Sequence, residues 1–204
     1  NNARHFQQYI ADLTFRKELD QIKKVFIENK SKGNTQFWIN YFAGVIKLID
    51  GRDKEVDSLA RESLKIFPDN EKIKTMAAFI LYGQEDVIKS YQFFKTGHID
   101  FSNKNYSAAF LNFKKAIDLN KADYSFYENA GMSLIKSEKY QEAIPYLKKV
   151  IDSFSLNNGK AEYGLAISYL NLNQKNKGCE YLVKSMEQNF KPAFVDHTRS
   201  CGFK

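Results

Sequence analysis

At 204 residues, 43% hydrophobic and 15% aromatic, the chain has enough apolar side chain to bury a continuous core, and no apolar run approaches a membrane span, so a soluble domain is expected. Three Pro, ten Gly and the lack of strand-type alternation exclude a β architecture and favour helices joined by short turns. The formal net charge of +7 is uneven: Lys and Arg against Asp and Glu number 16 to 14 over residues 1–102 but 15 to 10 over 103–204.

In chain order, Ala3 to Lys30 reads as two helices, one striped by Phe6, Tyr9, Ile10 and Leu13 and the other by Leu19, Ile22 and Phe26. The turn Lys30 to Asn34 closes this first unit, residues 3–36. Residues 37–70 form a second pair, with Ala43 and Gly44 where two helices touch, Gly51 in the turn, and a stop-and-restart at Pro68-Asp69-Asn70. Residues 71–89 break the spacing. Glu71 to Tyr82 predicts one helix, Gly83 to Asp86 a turn, and Val87 to about Phe101 an unusually long helix, an irregular junction expected to set an angle between the two halves.

The clearest stretch is Tyr124 to Asn157. Tyr127 is followed by the small Gly131, a break at Ser137-Glu138-Lys139, and then a helix bearing Tyr140, Ala143, Leu147 and Val150 on one face. Thirty-four residues earlier, Gly97, Tyr106, Ala109, Phe113 and Ala116 occupy the places of Gly131, Tyr140, Ala143, Leu147 and Val150; thirty-five later, Ala166, Gly178, Leu182 and Ser185 do so from Gly131 onward. Small residues at such marks let helix backbones approach closely. This pattern resembles the tetratricopeptide (TPR) repeat, with units at 90–123, 124–157 and 159–192, a less regular one at 37–70 and a degenerate one at 3–36. The resemblance implies an all-α, right-handed helical solenoid of antiparallel helix pairs. A short helix over 193–204 would cap it, with Ala193, Phe194 and Val195 inward and Asp196, Arg199 and Lys204 outward. At the small-residue mark, Gly178→Ala is expected to be neutral or slightly stabilising.

No reading of the residues yields catalysis, a metal or a cofactor. His5, His98 and His197 have no second ligand at helical spacing, and Asn158-Gly159-Lys160 lacks the upstream glycine and preceding strand of a phosphate loop, which leaves an inter-repeat turn. Cys179 and Cys201, without a CxxC pattern, read as ordinary buried thiols rather than a disulfide. Lysine pairs such as Lys114-Lys115 and Lys148-Lys149, set among Asp118, Glu142 and Asp152, read as a solvated outer face, and no nucleic-acid partner is expected.

What the resemblance does imply is a non-catalytic protein–protein interaction scaffold. Its groove would be lined by first helices: Trp38, Tyr41, Val45 and Leu48; then Tyr91, Phe94, His98 and Phe101; then Ser125, Glu128, Asn129, Met132 and Ile135; and finally Lys160, Tyr163, Ile167 and Leu170. Such a surface is aromatic and apolar, and is either an open groove or a buried seam. If it is open, changing Tyr91 and Phe94 together to Ala should abolish capture without lowering the melting temperature. Of the two-carboxylate clamp some family members use on chaperone tails, only Asn129 and Lys160 fall at matching places, so an extended or helical segment with apolar anchors is the expected partner. An alternative is a docking appendage of a larger enzyme or membrane-associated assembly. The start at Asn1-Asn2, without initiator Met or signal pattern, suggests a piece of a longer protein and leaves compartment and oligomeric state open.

Overall fold

The computed structural model describes residues 10, 13–14, 18–29, 35–48, 53–67, 69–154, 156 and 158–202, and all regular structure among them is helical. The chain divides into two compact units, residues 1–87 and 88–204.

Unit 1 contains α1 (Leu19–Asn29), α2 (Thr35–Leu48), α3 (Lys54–Ile66) and α4 (Glu71–Tyr82). Helix α2 packs on both α1 and α4, and α3 on α4. Their core is aromatic: Phe26 stacks on Tyr41 with ring centroids 3.9 Å apart and meets Trp38 edge-on at 4.8 Å. Ile10, Leu13 and Ile22 close the same cluster. Two local signals start the last two helices. Asp53 accepts from the Glu55 and Val56 amides at 3.0 Å each, and Asn70 accepts from Ile73 N at 3.0 Å. Lys23 of α1 donates to Asp53 at 2.9 Å, a contact that holds the Asp53 carboxyl below its ordinary range and ties α1 to the start of α3. Gly44 makes its close approach to Ile10 and Thr14, where a Cβ would lie 2.9 Å from each side chain. The expectations for Phe6, Tyr9, the Lys30 to Asn34 turn, Gly51 and Pro68 fall outside the described residues.

Unit 2 takes in all but the first turn of α5 (Gln84–Ser102), then α6 (Tyr106–Leu119), α7 (Tyr124–Lys136), α8 (Tyr140–Ser153), α9 (Lys160–Asn171), α10 (Lys175–Glu187) and α11 (Lys191–Ser200). The long helix expected from Val87 is present at 19 residues but starts at Gln84, so of the expected Gly83 to Asp86 turn only Gly83, with φ +86°, stands outside a helix. Successive helices from α6 onward pack on one another, and α7 also meets α9. One contact recurs at the repeat spacing. A Cβ on Gly97 would lie 2.6 Å from the Phe113 ring, and one on Gly131 2.7 Å from Leu147 Cγ. Leu147 is flanked on its other side by Gly164, whose Cβ would lie 2.9 Å from Leu147 Cδ1, so a single leucine fills a notch between α7 and α9.

The turns recur too. Lys104, Glu138, Asn173 and Asn189 have φ between 59° and 63°, and the residue after each donates its amide five residues back: Asn105 to Asp100 O at 2.8 Å, Lys139 to Leu134 O at 2.8 Å, Gln174 to Tyr169 O at 2.9 Å, Phe190 to Ser185 O at 3.2 Å. This is the Schellman arrangement, and it closes α5, α7, α9 and α10 without a glycine at the left-handed position. The Asn158-Gly159-Lys160 stretch is a turn between α8 and α9. Gly159 has φ +71° and donates to Gln188 Oε1 at 2.8 Å, while Ser185 Oγ donates to Gly159 O at 2.6 Å. A Cβ there would lie 2.8 Å from the Ser185 carbonyl, so glycine is required twice over.

Three expectations are corrected at the C-terminal end. Cys179 and Cys201 form a disulfide, because α11 returns over α10 and brings their Cα atoms to 5.7 Å. Of the cap residues expected inward, Ala193 is buried, but Phe194 and Val195 are 44% and 50% exposed; Asp196, expected outward, accepts from the Tyr163 hydroxyl at 2.6 Å. Gly178 is not free to gain a methyl, since its Cβ would lie 2.6 Å from Leu170 Cγ and 3.2 Å from the Leu170 amide nitrogen.

Candidate functional site

The expected groove residues separate by unit. Trp38 and Tyr41 are 2% and 0% exposed and belong to the core of unit 1, as does Val45. Helix α2 has neighbours on several sides, so its aromatic face is covered; the Leu48 side chain lies outside the described residues. The Tyr41 hydroxyl is buried with no hydrogen-bond partner among the described residues, and burial pushes its pKa well above the ordinary phenol range.

In unit 2 the first helices of successive pairs, α5, α7 and α9, present a partly open face. His98 is exposed; Tyr91, Phe94, Phe101, Ser125, Asn129, Met132, Lys160, Tyr163, Ile167 and Leu170 are half-buried; Glu128 and Ile135 are buried. Phe94 is anchored from beneath, with its ring 4.9 Å from Phe126 and 5.6 Å from Phe113, and His98 stands edge-on to it at 4.5 Å. Tyr91 packs edge-on to Phe126 and donates to Asp123 at 2.9 Å; Asp123 also accepts from the Ser125 amide at 3.0 Å and hydroxyl at 2.6 Å, capping α7. Tyr91 and Phe94 therefore support the fold as well as the face, and truncating both lowers stability along with any binding.

Lys160 joins the three helices. Its ammonium donates to Glu128 Oε2 at 2.6 Å, across α9 to α7, and its charge reaches His98 on α5. The His98 imidazole is held below its ordinary pKa, first by partial burial and then by Lys160. Glu128 Oε1 has no hydrogen-bond partner among the described residues. Asn129 turns its amide nitrogen back to Ser125 O at 2.7 Å, so it stabilises its own helix rather than reaching outward. Tyr163 donates to Asp196, and burial, followed by that bond and charge, pushes the phenol up to about 12. The partners missed in the sequence, Asp123 for Tyr91, Lys160 for Glu128 and Asp196 for Tyr163, share a spacing of 32 or 33 residues, just short of one repeat. A search for polar pairs at that spacing would have found all three.

The second helices α6 and α8 carry the lysine pairs: Lys114, Lys115, Lys148 and Lys149 are exposed, with Asp118 and Asp152 exposed on the same helices. No helix among the described residues is long and apolar enough to cross a membrane.

Comparison with known proteins places this geometry. Residues 124–154 match the tetratricopeptide repeat model. "Protein STIP1 homolog" of Dictyostelium discoideum is 32% identical over 68 residues, which are 33% of this chain and 12% of that protein. A solved structure of MamA is similar over 81% of this chain and 95% of its own, at 17% identity and a TM-score of 0.47; another, MamA MSR-1 C2, over 94% and 98%, at 14% identity and a TM-score of 0.43. Residues 124–154, with Gly131 facing Leu147 and a glycine-free Schellman turn at Glu138, match the tetratricopeptide repeat as one antiparallel helix pair among the described helices.

Proposed function

We propose that the face formed by α5, α7 and α9 captures a protein or peptide segment, extended or helical, by apolar anchors, with no chemistry performed on it. One observation carries this reading: His98, Met132 and Ile167, one repeat apart along the chain, form a row of exposed or half-exposed side chains beside the charge pair that links the helices. Half-open apolar groups on a rigid, well-packed support are the usual anchors of an interface, since they bury area at little further entropic loss. The polar Lys160 and His98 at its edge would fix the orientation of the bound segment.

A photo-crosslinking side chain placed at Met132 should trap one partner from the native cell, and the same group at Lys149, on the exposed side of α8, should not. With that partner purified, Met132→Ala and Ile167→Ala should each weaken binding by about 2 kcal/mol or more if they are anchors. Equal labelling from both positions, or unchanged affinity in both variants, would sink the proposal.

A further inference from the structure

The geometry points to a redox-released C-terminal helix on unit 2: the Cys179–Cys201 disulfide holds α11 against α10, and a dithiol that reduces it frees α11 and bares the face beneath. Helix α11 has a weak non-covalent hold for its size. Ala193 is its one buried residue, packed with Ala166 and Leu182, while Phe194 and Val195 face water. Its Asp196 takes one hydrogen bond from Tyr163. One fully buried side chain in ten residues is little apolar area with which to order a helix against its conformational entropy. The covalent link supplies the rest by closing the loop between positions 179 and 201.

The sulfurs are placed for exchange. Cys179 and Cys201 are half-buried rather than sealed in the core, and Gly202, next in the chain, has open space on its Cβ side. A thiolate of the dithiol attacks one sulfur and forms a mixed disulfide. Its second thiol then resolves that bond, so two electrons and two protons pass to Cys179 and Cys201, and the dithiol leaves as its own disulfide. Such a bond persists in oxidising surroundings and opens in thiol-rich ones, so the two states of this end correspond to two environments. In the open state Ala166 and Leu182, fully buried when α11 is docked, become accessible together with half-buried Tyr163 and Met186.

The chain contains only two cysteines, so a reductant changes nothing else in it. Hydrogen exchange followed by mass spectrometry on the whole chain, air-oxidised and then treated with dithiothreitol, reads the effect directly. Amides of 191–200 should exchange about a hundredfold faster after reduction, from loss of the loop constraint, while 124–154 is unchanged. Cys179→Ser and Cys201→Ser, each tested without reductant, should reproduce the reduced pattern. Equal exchange of 191–200 in both states, serine variants that behave like the oxidised protein, or two titratable thiols in the air-oxidised protein would each overturn the inference.

Discussion

The two units solve helix packing differently. Unit 1 fills its interior with large aromatics, Phe26, Trp38, Tyr41 and Phe42, and leaves a phenol hydroxyl buried without a partner among the described residues. Unit 2 brings its helices close over glycine and alanine, sets Phe113 or Leu147 into the notch, and repeats the contact along the chain. The consequence is a difference in exposure. Where α2 is wrapped by its neighbours, its aromatic face is consumed by the core; where α5, α7 and α9 stand in a row, one face of each stays partly open. Aromatics on a first helix therefore mean core in one unit and a half-open face in the other.

The strongest way to break this comparison is at the notch. Gly131→Leu puts a branched side chain where even a Cβ would be 2.7 Å from Leu147, and Leu147 cannot retreat because Gly164 lies on its far side. Destabilisation of about 3 kcal/mol or more is expected, at or above the upper end for overpacking, measured by urea unfolding. A loss below about 1 kcal/mol would mean the notch is soft.

That notch was legible because a small residue opposite a bulky apolar one recurs at a nearly fixed spacing, and a period is visible without coordinates. The groove was only half legible. Periodicity names which residues share a face, but whether that face is covered depends on how many helices surround it, and Trp38 and Tyr41 carry no local mark of that. The turns at Lys104 and Glu138 were invisible in kind, since neither is a residue that favours positive φ; the backbone hydrogen bonds of the Schellman closure hold them there. The disulfide was misread because its partners are separated by a whole helix and lack a CxxC pattern, so only the return of α11 brings them together.

Gly178→Ala sharpens the comparison by testing a second close approach. Ala removes the helix-interior glycine penalty of roughly 1 kcal/mol, but the added Cβ meets Leu170 at its Cγ, 2.6 Å away, and at its backbone nitrogen, 3.2 Å away, which no rotamer change can move. The steric term outweighs the propensity gain, and a net loss of about 1 to 2 kcal/mol is expected by thermal melt. Stabilisation instead would show that α9 and α10 separate easily.

In unit 1 the expected sign is opposite. Tyr41→Phe deletes a buried hydroxyl that has no partner among the described residues, keeps the ring stacked on Phe26, and should stabilise the chain by about 1 kcal/mol. Destabilisation by that amount would reveal a hydrogen bond to the hydroxyl and a core less purely apolar than it is here.

The smallest effect tests the open face itself. His98 has its pKa lowered in the folded chain, by partial burial first and by Lys160 second, while the unfolded chain keeps the ordinary value near 6.5. Below that pH the unfolded state binds more protons than the folded one, so stability falls as pH drops from about 7 through the folded pKa and is fully present above it. His98→Gln should flatten that part of the curve. The difference between parent and variant, read from melting temperatures at pH 7.5 and 5.5, should be only a degree or two, because the imidazole is exposed and water screens it. Adding Lys160→Met should shrink the difference further, since it removes the charge that opposes protonation while leaving partial burial in place. If the parent instead gains stability on acidification relative to His98→Gln, the imidazole gains a carboxylate neighbour on protonation, and the edge of the face is acidic rather than basic.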